Sequence, residues 1–146
     1  MVSNLQRYKK DLEKLVTDGE VLHNAMQYEF SLDGFKSEAI KVFNDEGKVS
    51  EFLKTLPSFT GSYQTGYSEA LILLKQLLPD RFADFVKLYE KQKSRKNITS
   101  ENYAIEDALQ GFYMTRGWEK EKVVGPSAAI PRFRQQLSII KSITGV

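Results

Sequence analysis

Tyr67-Ser68-Glu69-Ala70-Leu71-Ile72-Leu73-Leu74-Lys75-Gln76-Leu77-Leu78-Pro79-Asp80-Arg81 is the stretch that decides the fold. Tyr67, Ala70, Leu71, Leu74, Leu77 and Leu78 recur at three- and four-residue spacings. A period of 3.6 residues puts such positions on one face of a helix. Pro79 supplies no backbone donor and disfavours helical geometry at Leu78, so the helix stops there. A second helix starts behind it, with Phe82, Phe85, Val86 and Tyr89 as its apolar face.

Toward the N-terminus, Leu5, Tyr8, Leu12, Leu15, Leu22 and Met26 fall on one seven-residue seam, with Gly19 at the remaining position. The seam predicts one long amphipathic helix over about residues 3–30, capped by Ser3. Glycine inside a helix costs about 1 kcal/mol relative to alanine. Gly19 therefore marks either a kink or the close approach of a neighbouring helix. Asp33-Gly34 reads as a turn. Two short helices follow, one with Phe35, Ala39, Val42 and Phe43 on a face, the other with Val49, Phe52, Leu53 and Leu56. Asp45-Glu46-Gly47 separates them and Pro57 ends the second.

Toward the C-terminus, the polar run Lys91-Gln92-Lys93-Ser94-Arg95-Lys96 reads as a loop. A helix from about Ser100 carries the stripe Ile105, Ala108, Leu109 and Phe112. A mixed-charge connection leads to the breaker Gly125-Pro126. The last helix shows Ile130, Phe133, Leu137 and Ile140, with Pro131 in its first turn, where a missing N–H is harmless. Lys122-Val123-Val124 is the one strand-like fragment. The pattern predicts an all-α fold: a single domain over residues 1–146, packed as an irregular bundle of six or seven helices.

Composition narrows the chemistry. Cysteine is absent, which removes disulfides, thiolate metal sites and thiol nucleophiles and suits a reducing compartment. The N-terminus has no apolar signal core, and no apolar run approaches the ~20 residues of a membrane span. The expectation is a cytoplasmic protein with no membrane contact. The net charge of +2 is too small for a whole-surface nucleic-acid footprint.

No catalytic, cofactor-binding or metal-binding set emerges. The sole histidine, His23, follows Glu20 at the Glu-x-x-His spacing of di-metal bundles, but such a site needs a second copy of the motif. The two read as a surface pair beside the seam. Asp80 with Asp84, and Glu106 with Asp107, are paired carboxylates in positions suited to capping and solubility. Lys91, Lys93, Arg95 and Lys96, extended by Arg116 and Trp118, are the candidate contacts for nucleic acid or another anion. Glu119 and Glu121 interrupt the basic residues that follow, which favours a solvated loop. Arg81 and Arg132 each lie near a proline at a helix start; pairing with Asp107 would make them a structural clamp.

One resemblance adds a direction. Tyr63-Gln64, Tyr67-Ser68-Glu69-Ala70, Leu78-Pro79-Asp80-Arg81, Asp84-Phe85, Leu88-Tyr89, Asn102-Tyr103, Ile105-Glu106-Asp107 and Ile130-Pro131-Arg132-Phe133 carry it, over about residues 60–142. The text resembles the N-terminal helical module of bacterial HEPN-like proteins of the toxin and phage-defence type. In those proteins a C-terminal HEPN domain uses an Arg-x4–6-His motif to cleave RNA. No arginine stands at that spacing before His23, and Gly66 occupies a position where relatives are expected to carry tryptophan. The resemblance thus implies the sensor or adaptor part of such a protein without its nuclease site. The expected function is a non-catalytic interaction or regulatory module that binds a protein partner or self-associates. The alternatives are an RNA- or DNA-binding module using the basic loop 91–96, and an enzyme with an unrecognised carboxylate site.

Overall fold

The computed structural model describes residues 4–116 and 121–143, and in it the apolar stripes become seven α-helices. They are α1 (Asn4–Phe30), α2 (Leu32–Phe43), α3 (Glu46–Thr55), α4 (Phe59–Leu77), α5 (Phe82–Tyr89), α6 (Ile105–Leu109) and α7 (Ile130–Ile143). Short 3-10 turns at Pro79–Arg81 and Pro126–Ala129 lead into α5 and α7. Strands β1 (Met114–Arg116) and β2 (Glu121–Val124) add a small antiparallel hairpin, register Arg116 opposite Glu121. Ser3, Trp118 and Lys120 lie outside the described residues.

α1 is the spine. Its first half packs Leu12 and Leu15 with Ala70, Leu73 and Leu74 of α4, Phe85 of α5 and Ile139 and Ile140 of α7. Its second half packs Leu22, Ala25 and Met26 with Phe59 and Tyr63 of α4, Ile105 and Ala108 of α6, and Ile130 and Phe133 of α7. From Tyr8 to Met26 the seven-residue seam is therefore spent inside the chain's own core. On α4 the buried face is centred nearer Leu73 than the sequence stripe, and Ile72 is exposed. Glu29 ties the end of α1 to the start of α4: its Oε2 accepts from the Thr60 backbone N–H at 3.2 Å and from the Thr60 hydroxyl at 2.7 Å.

Gly19 settles in favour of close approach. The helix runs through it, and a Cβ added there would lie 2.7 Å from Cδ1 of Leu137 on α7. The far end of Leu137 has room to yield to one methyl, and alanine gains helix propensity. Gly19→Ala is thus expected to leave the denaturation midpoint nearly unchanged. Gly19→Leu overpacks the α1–α7 seam, with an expected loss of about 1–3 kcal/mol in chemical denaturation. An unchanged midpoint for Gly19→Leu would contradict the seam.

Four local readings need correction. Asp33 and Gly34 lie within α2; the chain turns two residues earlier, at Ser31, whose N–H still bonds the Gln27 carbonyl at 2.8 Å. The first turn of a helix has unpaired N–H groups anyway, so glycine does less harm there. Glu46 and Gly47 begin α3 rather than breaking the chain, because Asp45 Oδ1 caps it, accepting from the N–H groups of Gly47 at 2.8 Å and Lys48 at 3.3 Å. The helix expected from Ser100 forms only over Ile105–Leu109. Thr99 and Asn102 bond each other's backbone N–H groups and Asn102 also bonds the Asn97 carbonyl, which holds residues 97–102 as a turn. Gly111, at φ +72°, ends the segment on the other side. The hairpin is the fourth departure: its strands are too short to show alternation in sequence.

Candidate functional site

Of the polar residues singled out by sequence, Arg95 bonds Asp107 directly and Arg132 reaches the loop beside it. Asp107 on α6 is 0 % exposed. Its Oδ2 accepts from the Ala104 backbone N–H at 2.8 Å and from Arg95 Nη1 at 2.6 Å, and Arg95 Nη2 bonds Oδ1. Arg95 Nη1 also donates to the Asn102 carbonyl at 3.2 Å. Hydrogen bonding to Asp107 raises the Arg95 pKa above its usual range. The clamp partner of Asp107 is thus Arg95, neither Arg81 nor Arg132. Arg81 sits on the exposed turn before α5 and pairs with Asp84 at 3.1 Å, one turn along. Arg132 reaches the same loop through backbone: Nη2 donates to the Glu101 carbonyl at 2.6 Å and Nε to that of Tyr103 at 3.4 Å. The Tyr103 hydroxyl donates to the Phe112 carbonyl, and burial pushes its pKa to about 12.

This geometry changes the basic loop. Arg95 spends its fork on a buried carboxylate, whereas Lys91, Lys93 and Lys96 are exposed. Lys91 Nζ lies 5.5 Å from the centre of the Phe112 ring, and its backbone N–H donates to Glu106 at 3.1 Å. Arg116 closes β1, and the stacking face expected from Trp118 falls outside the described residues.

A second buried strut joins α4, α5 and α7. Gln136 is 2 % exposed; its Oε1 accepts from the Tyr63 hydroxyl at 2.6 Å and its Nε2 donates to the Phe85 carbonyl at 3.0 Å. Burial holds the Tyr63 phenol well above its usual pKa. Tyr67 and Tyr89 stack on the Tyr63 ring at 5.7 and 5.8 Å, and burial, followed by Glu90, pushes Tyr67 to about 12. Above the strut a cleft of about 420 Å³ runs between α1 and α4, past Gly19, Gly61 and Gly66, with the Lys14–Asp18 pair at its rim. The polar atoms of Tyr63 and Gln136 on its wall already bond one another.

His23 belongs to the α1–α7 packing. Its ring stacks on Phe133 at 6.2 Å, and its buried Nε2 has no hydrogen-bond partner. Glu20 pairs instead with Lys141 at 2.8 Å. Among the described residues no three His, Cys, Asp or Glu side chains are grouped to hold a metal ion. Burial first, then the charges of Arg134 and Lys141, lower the His23 pKa below its usual value, against an opposing pull from Glu20. The unfolded chain therefore binds the proton more readily. Stability is full above the unfolded value of about 6.5 and falls as pH drops toward the lower folded value. Denaturation midpoints are expected to decline from pH 7.5 to about pH 5 in the natural chain, and less in His23→Phe. Equal pH slopes in the two proteins would contradict this.

The remaining feature is apolar. The stripe of α2 is only partly covered: Ala39 is buried, Phe35 and Phe43 are half-buried, and Val42 is 78 % exposed. Phe52 of α3 packs on Phe35 at 6.4 Å and on Phe43 at 5.3 Å, forming an aromatic cluster apart from the two core clusters. Between the α2–α3 pair, α1 and the start of α7 lies a groove of about 650 Å³ whose walls include Ile130 and Arg134. The sequence shows the stripe but not that it lacks a cover. Comparison with family models, with curated proteins and with solved structures finds no match to this chain.

Proposed function

We propose that this chain is a non-catalytic helical interaction module whose binding face is the groove formed by α2, α3, α1 and the start of α7. The observation that carries the reading is the α2 stripe, which ends at Val42 in solvent while the seam of α1 is consumed by the core. A solvent-facing stripe of this kind is stabilised when a partner removes it from water. The resemblance to the N-terminal modules of HEPN-like proteins supports a sensor or adaptor role, and a cytoplasmic setting belongs to the same proposal. Among the described residues no helix is long and apolar enough to cross a membrane.

The test uses the whole chain as bait. The natural protein is expected to retain a partner or to self-associate in sedimentation. Val42→Glu should lose that association while keeping the same thermal midpoint, because Val42 contributes little to the core. Lys93→Ala with Lys96→Ala should retain it. A monomer without partners, or association that survives Val42→Glu, counts against the reading; loss in the lysine variant would move the face to the basic loop.

A further inference from the structure

The groove also carries information about what fills it, and we infer that its occupant is an amphipathic helix of a partner protein, bearing a carboxylate that meets Arg134. This inference rests on the interaction reading above. The first reason is backbone chemistry. The walls are helices, whose N–H and C=O groups are bonded internally, so they offer no ladder to an extended strand. A helical occupant satisfies its own backbone and brings only side chains.

The second reason is spacing. Phe35, Ala39, Val42 and Phe43 stand at i, i+4, i+7 and i+8, which is the face that another helix meets with a matching stripe. The third is charge. Arg134 is the only charged residue among the described residues lining the groove; it is exposed, and no described carboxylate pairs with it. An acid on the occupant gains a charge-assisted hydrogen bond there, and a base is repelled. A second copy of the chain fits less well. Outside the groove, the large apolar residues it exposes among the described residues are Val21, Ile40, Ile72, Phe112 and Tyr113, which are scattered over α1, α2, α4 and the loop after α6 and form no helical stripe.

The probes are two fluorescein-labelled synthetic helices of about 15 residues, each with leucines at i, i+3, i+4 and i+7. One carries glutamates beside the stripe and the other lysines. Fluorescence anisotropy with the full chain is expected to show saturable binding of the glutamate peptide alone. Arg134→Glu, on an exposed position, should weaken that peptide about tenfold or more and improve the lysine peptide. Val42→Glu should abolish binding of the glutamate peptide. Equal binding of the two peptides, or indifference to Arg134→Glu, overturns the acidic helix. If neither peptide binds while partner capture still depends on Val42, the groove remains the interaction face and this choice of occupant is wrong. A concentration-dependent dimer lost in Val42→Glu would put a second copy in the groove and also overturn it.

Discussion

Asp107→Ala is expected to cost about 3–5 kcal/mol of folding free energy, the largest effect of any single polar substitution in this chain. The carboxylate is fully buried and holds three donors: both terminal nitrogens of Arg95 and the Ala104 N–H. Removing it leaves a guanidinium that is 11 % exposed without its counter-charge. Arg95→Ala should cost a similar amount for the converse reason. The double variant should cost much less than the sum, since each single change already strands the other partner. Arg81→Ala is the control, because its pair with Asp84 is exposed on both sides and such pairs contribute about 0–1 kcal/mol. Urea denaturation monitored by circular dichroism measures all four. Strict additivity of Asp107→Ala and Arg95→Ala would contradict the buried pair.

Gln136→Leu is expected to cost about 2–4 kcal/mol, because it leaves the Tyr63 hydroxyl unpaired in the interior and removes the buried side-chain hydrogen bond to the Phe85 carbonyl. Leucine is close to glutamine in volume, so the loss reflects hydrogen bonding more than a cavity. Tyr63→Phe separates the two halves of the strut. Alone it strands one lone pair of Gln136; in the Gln136→Leu background it removes the orphaned hydroxyl and should recover part of the stability. A Tyr63→Phe effect of equal size in both backgrounds, measured by the same denaturation, would contradict the coupling.

These two struts mark where sequence reasoning runs out. The helices were legible because apolar side chains at 3.6-residue spacing, bounded by Pro57, Pro79 and Pro126, leave a continuous apolar face only as α-helices. Asp107 was legible as an acid worth clamping, but its partner was not. Arg95 lies in a run of lysines, and only the turn at Asn97–Asn102 folds it back over α6. Gln136 carries no signal of its own beside the stripe of the last helix, since helical spacing does not distinguish a glutamine at the edge from one turned into the core. The short span of α6 was hidden for a related reason. Thr99 and Asn102 consume backbone groups that a helix needs, and that competition depends on side-chain geometry. The groove was the least legible feature. The stripes of α1 and α2 follow the same pattern, yet the core covers one and leaves the other open to water.

Hydrogen exchange on the partner-bound chain, compared with the free chain, examines the binding face residue by residue. Slowing confined to α2, α3 and the Ile130–Arg134 end of α7 is the expected result, with the α1–α4 cleft unchanged. Slowing along Lys91–Lys96 or over that cleft, with α2 and α3 exchanging as in the free chain, would contradict it.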